Sequence, residues 1–259
     1  MYGWWHLLAL VLTALFTVFL CRRSKHLSPD RIRSTVFAIT LVVWILEIYK
    51  QINFSFSYTE GISFDYQWYA FPFQFCSTPM YAGLLASLTK KGWLHKAACS
   101  YLVTYSVFAG ICVMLYPATV FIDTIGINIQ TMICHGTMIS VGIFLLYSGY
   151  IKAEHKTILR AIPFFIGCVL LATLMNEIAH QTGLLESETF NMFFISPYCE
   201  PSLPVYSLVQ GILPFPFCLL VYVVGFTLAA YLILLAAIGI RSSRHNAHET
   251  ANCIPQANI

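Results

Sequence analysis

Residues 213–240 read LPFPFCLLVYVVGFTLAAYLILLAAIGI, a stretch without a charged side chain. About 20 apolar residues in a helix are enough to cross the hydrocarbon core of a bilayer. Because backbone N–H and C=O groups find no water there, such a segment must satisfy them within its own helix. The stretch therefore predicts a transmembrane helix.

Further apolar runs lie upstream of this stretch. They cover roughly residues 4–20, 33–52, 68–88, 97–121, 128–150 and 159–180. The chain is 58% hydrophobic and 10% charged, whereas soluble domains carry about 25% charged residues. We therefore predict an all-α polytopic membrane protein, with a seven-transmembrane-helix bundle over residues 1–240 and a disordered cytoplasmic tail over 241–259.

The basic residues predict the orientation of this bundle. Thirteen of the fourteen Lys and Arg residues lie in segments 21–34, 89–96 and 152–160 and in the C-terminal tail. Because basic residues concentrate on the cytoplasmic side, we expect the N-terminus outside and the C-terminus inside. The net charge of +3 thus reflects membrane topology, and no nucleic-acid partner is expected.

Ionisable and polar groups inside the spans are the candidates for function, because burying them in a bilayer costs free energy. They include the following residues: Glu47, Gln74, Cys76, His135, Asn176, Glu177 and His180. From the helical rise, Cys76 lies about 12 Å and His135 about 10 Å below the outer surface. The two side chains are therefore predicted to share one level in the outer half of the membrane.

Each candidate also has a purely structural interpretation. Cys76 could be a small hydrophobic filler, and His135 could hydrogen-bond to a structural partner. Glu47 could either orient His135 or be a neutral side chain bonded across helices. Glu177 and His180 share a helical face near the interface, where both could simply be solvated.

A cysteine paired with a histidine is suited to acyl transfer without a cofactor. The imidazole accepts the thiol proton, and the thiolate attacks an acyl carbon to form a thioester. Because burial opposes thiolate formation, this hypothesis requires contact between Cys76 and His135. The outer segment 181–212, apolar over 190–195, is predicted to be a re-entrant or lid-like element that controls access of lipid.

Five short sequence elements carry a family resemblance: 72–76 (PFQFC), 134–136 (CHG), Asn176, 191–192 (NM) and Pro197. With these elements the chain resembles the YwaF family of bacterial integral membrane proteins over helices two to seven. It is also distantly similar to the vertebrate transmembrane ether-phospholipid acyltransferase, within the fold of the androgen-induced-protein lipid hydrolases.

The resemblance implies that Cys76 and His135 carry an acyl group, with Asn191 among the supporting residues. It also implies membrane lipid as the substrate and the bacterial plasma membrane as the location, although the charge pattern fits an endomembrane equally. Two other functions are compatible with the residues. One is a zinc hydrolase using His135, His180 and Glu47 or Glu177, and the other is a small-molecule transporter with the same polar cluster.

Overall fold

The chain folds into a helical bundle in the computed structural model, which describes residues 3–57, 61–183, 190–200 and 203–252. Its α-helices are α1 Trp4–Ser24, α2 Pro29–Asn53, α3 Thr78–Leu88, α4 Trp93–Val103, α5 Tyr105–Leu115, α6 Ile125–Tyr147, α7 His155–Gln181, α8 Pro204–Gln210 and α9 Phe215–Asn252. Two short antiparallel strands, β1 Phe56–Ser57 and β2 Ser63–Phe64, form a hairpin after α2. The prediction of an all-α membrane protein is confirmed.

Six helical segments of the described chain are long and apolar enough to cross a membrane. They are α1, α2, the α4–α5 pair, α6, α7 and the first part of α9, Phe215–Ser243. Helix α9 continues to Asn252, into the segment predicted to be a disordered tail, and residues 253–259 lie outside the described chain.

The predicted third span, 68–88, forms a regular α-helix only over Thr78–Leu88. Eleven residues of helix are about 16 Å long, roughly half the hydrocarbon thickness. The preceding part holds a single 3₁₀ turn, Trp68–Ala70, and irregular backbone from Phe71 to Ser77. Proline explains this start of the helix, because Pro79 lies in the first turn of α3, where its missing N–H costs nothing.

Helix α6 lies at the centre of the bundle and packs against α1, α2, α4 and α5. Two glycines allow the close approach of α6 to the α4–α5 pair. A Cβ on Gly110 would lie 2.8 Å from the His135 carbonyl oxygen, and one on Gly142 would lie 2.7 Å from the Leu102 carbonyl oxygen. Small residues at helix contacts are typical of membrane bundles, where close packing drives association.

The α4–α5 pair is interrupted at Thr104, whose φ of −122° and ψ of −87° are not helical. The Thr104 hydroxyl donates to the Ser100 carbonyl oxygen at 2.7 Å. The last carbonyl groups of α4 are consequently not positioned to accept hydrogen bonds from the first turn of α5, as they would be in a continuous helix.

Candidate functional site

A cavity of about 280 Å³ lies between α2, the start of α3, α5 and α6. Most of its lining is apolar, which suits the cavity to a hydrophobic ligand. Its polar lining residues are Thr40, Glu47, Lys50, Gln74, Cys76, Ser77, Ser106, Gln130, Thr131, Cys134, His135 and Thr137. The structure therefore brings four of the candidates from the sequence, namely Glu47, Gln74, Cys76 and His135, to one cavity.

Cys76 lies in the turn that leads into α3. The backbone N–H groups of Ser77 and Thr78 both donate to the Gln74 carbonyl oxygen, at 2.8 and 3.2 Å. This turn places Cys76 next to the first residues of α3, in irregular backbone instead of a continuous helix. The thiol-bearing residue is half-buried at the wall of the cavity.

His135 lies on α6 with one ring nitrogen occupied and the other without a partner. Nδ1 is 2.7 Å from the Thr131 carbonyl oxygen. Because a carbonyl oxygen can only accept, Nδ1 must carry the proton and donate it. Nε2 then holds a lone pair, and it has no hydrogen-bond partner among the described residues. A buried Nε2 in this state can act as a general base.

The contact that the sequence argument required between Cys76 and His135 is not made in this structure. Within the described chain, His135 Nε2 has no hydrogen bond to Cys76 or to any other residue. Both residues nevertheless line the same cavity. The thiol-bearing and imidazole-bearing residues therefore line one cavity without a hydrogen bond between them.

Glu47 is buried, and its carboxylate is bound by groups other than His135. Lys50 Nζ lies 2.7 Å from Oε1, Gln51 Nε2 donates to the same oxygen at 2.7 Å, and Gln130 Nε2 approaches Oε2 at 3.5 Å. The predicted role of Glu47 in orienting His135 has no direct hydrogen bond to support it. The Thr131 carbonyl is the group that orients the imidazole.

Gln74 and Asn176 bind the backbone of the segment that follows α7. Gln74 donates to the Asn191 carbonyl oxygen and accepts from the Phe193 N–H, each at 2.9 Å. Asn176 donates to the Met192 carbonyl oxygen at 3.0 Å and accepts from the Met192 N–H at 2.8 Å. We call this arrangement the amide clamp, because two side-chain amides each form a pair of hydrogen bonds to the segment.

The clamped segment carries two aromatic residues in the left-handed region, Phe193 (φ 60°) and Phe194 (φ 57°). Non-glycine residues adopt this conformation only where the surroundings enforce it. Asn191 contributes by accepting from the Ser196 N–H at 2.9 Å. Phe194 of this segment lines the cavity. Gln74, Asn176 and Asn191 therefore help to shape the cavity by holding the backbone that carries Phe194.

Glu177 and His180 lie at the exposed end of α7 and do not line the cavity. Glu177 accepts hydrogen bonds from Tyr198 at 2.7 Å and Gln181 at 2.8 Å. The His180 ring stacks on Tyr198 with ring centroids 3.5 Å apart. The hydrogen bond to Glu177 raises the pKa of Tyr198. This group ties the segment after α7 to the helix end.

The zinc ligands that the sequence suggested are not brought together. His135 lines the cavity, whereas His180 stacks on Tyr198 at the surface. In the part of the chain that the structure describes, no group of three or more His, Cys, Asp or Glu side chains could hold a metal ion. The geometry gives the zinc-hydrolase hypothesis no ligand set.

Sequence reasoning missed several polar residues of the cavity: Lys50, Ser106, Gln130 and Thr131. Gln130 and Thr131 could have been found as polar side chains one turn before His135 on an apolar helix. Ser106 has no sequence signal, since serine is common in membrane helices.

The comparisons with known proteins agree with this architecture. No curated protein and no solved structure matches the chain. A family model matches residues 1–236, which include five of the six candidate spans, the sixth as far as Ala236 of α9, and every residue of the cavity. The chain belongs to the TMEM164 family, a family of transmembrane proteins.

Proposed function

We propose that this protein is a membrane-embedded lipid acyltransferase or acyl hydrolase in which Cys76 is the nucleophile and His135 the base. The observation that carries the proposal is the state of the His135 ring. Its Nδ1 proton is bound to the Thr131 carbonyl, and its Nε2 is buried without a partner among the described residues, on a cavity that it shares with Cys76. A buried nitrogen left unpartnered costs free energy, which a functional role accounts for.

The reaction proceeds in two balanced steps. The Cys76 thiol transfers its proton to His135 Nε2 while Sγ bonds to the acyl carbon of a lipid ester. The C–O bond breaks, and the leaving alcohol takes the proton from His135. In the second step, an acceptor hydroxyl or water gives its proton to His135 and attacks the thioester, which releases the free thiol.

The separation of thiol and imidazole is compatible with this chemistry. Catalytic hydrogen bonds are often long in structures without substrate and shorten when substrate binds. Cys76 lies in the irregular turn before α3 and not within a helix, so small backbone adjustments can move it. The largely apolar cavity of about 280 Å³ is near the lower end of the 300–1,000 Å³ typical of ligand pockets, and suits part of an acyl chain.

The proposed topology has seven crossings. In the third crossing, the outer half is irregular backbone and the inner half is the helix α3. Two sets of contacts support it. Gln51, near the end of α2, binds the Ala70 carbonyl oxygen at 2.9 Å. At the other end of α3, Thr89 and Tyr150 lie 3.2 and 3.1 Å from the ring nitrogens of His95. These contacts support a proposed change of membrane side between residues 70 and 89.

Irregular backbone at membrane depth is tolerated where protein buries it or where it lines a cavity. Residues 74–77 meet this condition, because Gln74, Cys76 and Ser77 line the cavity. An odd number of crossings puts the two termini on opposite sides of the membrane, and the distribution of basic residues favours the N-terminus outside and the C-terminus inside. This orientation is compatible with the plasma membrane that the resemblance to the YwaF family implies.

The test uses purified protein in vesicles that contain a phosphatidylcholine with an alkyne-tagged acyl chain. We expect covalent acyl labelling that neutral hydroxylamine releases, as it does a thioester. Cys76→Ala and His135→Ala should abolish the labelling. Cys134→Ala is the matched control, because Cys134 also lines the cavity, and it should retain labelling.

Labelling that survives in folded Cys76→Ala would contradict the proposal. The fate of the acyl group then distinguishes transfer from hydrolysis. With a lysophospholipid acceptor in the vesicles, a transferase yields tagged diacyl lipid, whereas a hydrolase yields tagged free fatty acid.

A further inference from the structure

Two residues of the cavity carry buried polar atoms that have no hydrogen-bond partner in the described chain. One is His135 through Nε2, and the other is Ser106 through its hydroxyl oxygen. Ser106 has no exposed surface, so bulk water does not satisfy this hydroxyl. An unpartnered buried hydroxyl costs about 1–3 kcal/mol, and a residue that incurs this cost on the same cavity as the proposed base requires an explanation.

Several other buried helical Ser and Thr residues of the described chain satisfy their hydroxyls locally. Ser87, Thr104 and Ser140 each donate to the carbonyl oxygen four residues earlier, at 2.6, 2.7 and 2.9 Å. This local bond is the ordinary way for a helix to satisfy a serine in an apolar setting. Ser106 does not form it.

The break at Thr104 explains the difference. Ser106 is the second residue of α5, so the residue four positions earlier, Leu102, belongs to α4. The non-helical φ and ψ of Thr104 separate the two helices. The Leu102 carbonyl instead lies against Gly142 on α6. In a continuous helix the Leu102 carbonyl oxygen would accept a hydrogen bond from the Ser106 hydroxyl, and the break at Thr104 prevents this bond.

The proposed acyl transfer lacks one component that Ser106 can supply. When Sγ bonds to the acyl carbon, an electron pair of the C=O bond moves to oxygen, and a fixed donor stabilises the oxyanion that forms. The N-terminus of α3, next to Cys76, is poorly placed to provide it. Its Ser77 and Thr78 N–H groups already donate to Gln74, Pro79 has none, and the Met80 N–H donates to Ser77.

Two other polar side chains of the cavity are already engaged. Gln130 donates toward Glu47 and Cys134, at 3.5 and 3.4 Å. Thr137 donates to the Cys134 carbonyl oxygen at 2.8 Å. Ser106, by contrast, lines the cavity with a buried hydroxyl that has no hydrogen-bond partner in the described chain.

We propose that Ser106 is a further catalytic residue, whose hydroxyl donates a hydrogen bond to the acyl carbonyl oxygen as it becomes an oxyanion. This inference rests on the proposed acyl-transfer function. The Ser106 proton stays on its own oxygen throughout. The thiol proton goes to His135, and the electron pair returns from the oxyanion when the ester C–O bond breaks.

The test compares Ser106→Ala with Ser140→Ala in the vesicle assay. Ser140 is equally buried but is bonded to Gly136 and Thr17 and does not line the cavity. We expect Ser106→Ala to lower the rate of thioester formation about 10²–10³-fold, the usual effect of removing one oxyanion donor. The acyl group should remain on Cys76, and Ser106→Thr, which keeps a hydroxyl, should recover part of the rate.

Stability separates this role from a structural one. Ser106→Ala removes a hydroxyl that has no partner, so the thermal midpoint should stay the same or rise. Ser140→Ala breaks two hydrogen bonds and should lower the midpoint while leaving the acylation rate within twofold. A Ser106→Ala protein of unchanged rate would overturn the inference, as would labelling that moves with Ser106 and not with Cys76.

A second measurement does not depend on turnover. A ketone analogue of a lipid ester, labelled with ¹³C at its carbonyl, is bound to the protein, and its C=O stretch is recorded by infrared difference spectroscopy. We expect a shift to lower frequency that Ser106→Ala removes and Ser140→Ala retains. If the shift depends on Ser106 while Cys76→Ala still labels, the proposed nucleophile fails and the Ser106 contact stands. If the shift is independent of Ser106, the inference fails.

Discussion

The Nδ1 atom of His135 lies 2.7 Å from the backbone carbonyl oxygen of Thr131, one helical turn earlier on α6. This hydrogen bond holds the neutral imidazole in the tautomer that leaves Nε2 free to accept a proton. The acceptor is main chain, so the arrangement is built into the helix and needs no second catalytic side chain. Glu47 is not needed to orient His135, and its carboxylate forms an ion pair with Lys50.

The tautomer of His135 can be observed directly. In protein with ¹⁵N-labelled histidine, we expect the Nδ1 signal of His135 at the shift of a protonated ring nitrogen and the Nε2 signal at that of an unprotonated one. Comparison with His135→Gln identifies the two signals. The opposite pattern, with Nε2 protonated, would contradict the assignment of Nε2 as the base.

The ion pair between Glu47 and Lys50 should be strongly coupled. Its atoms lie 2.7 Å apart, with side chains 8% and 18% exposed. Lys50→Met leaves the carboxylate without its cation, and we expect a loss of about 3–5 kcal/mol in unfolding free energy. The double variant with Glu47→Gln should be more stable than Lys50→Met alone. Additive losses in denaturant unfolding would show that the two groups do not interact.

The contact between α5 and α6 should not tolerate a methyl group at Gly110. A Cβ there would lie 2.8 Å from the His135 carbonyl oxygen and 2.9 Å from Ile139. We expect Gly110→Ala to lower stability by about 1–3 kcal/mol and to slow acylation by displacing His135. Gly167, in α7, has open space around the same position, so Gly167→Ala should be neutral or stabilising by up to about 1 kcal/mol. Equal thermal midpoints for the two variants would count against this packing.

The amide clamp should hold the cavity wall in place. Asn176→Ala leaves the N–H and C=O of Met192 without their partners, at a cost of about 1–3 kcal/mol. We expect amide hydrogen exchange to accelerate over residues 190–196. Asn53→Ala is the control, because Asn53 is only half-buried and donates to the Tyr49 carbonyl oxygen of its own helix. Unchanged protection of Met192 in Asn176→Ala would refute the clamp.

The surface group at the end of α7 should be dispensable for chemistry. His180 and Glu177 do not line the cavity. We expect His180→Ala and Glu177→Gln to keep the acylation rate within about twofold, as surface substitutions usually do. A loss as large as that of His135→Ala would bring back the hypothesis that both histidines act together.

The membrane helices could be predicted from the sequence because hydropathy belongs to each residue and its neighbours along the chain. Within a bilayer every span must satisfy its own backbone, so an uncharged run such as 213–240 can only be a helix. The same argument identified Glu47, Cys76 and His135 as costly or reactive groups in an apolar setting. It overestimated the third helix, because hydropathy does not detect the irregular backbone from Phe71 to Ser77.

The partners of the polar groups depended on the tertiary structure. Gln74 and Asn176 are distant from residues 191–193 along the chain, and only packing shows that they bind that backbone. Glu47 meets Lys50 within its own helix, so it was not available to His135. Ser106 gained its free hydroxyl from the break at Thr104. A hydrogen bond requires two atoms to lie close together in space. The amino-acid sequence shows which atoms are present but not the distances between them.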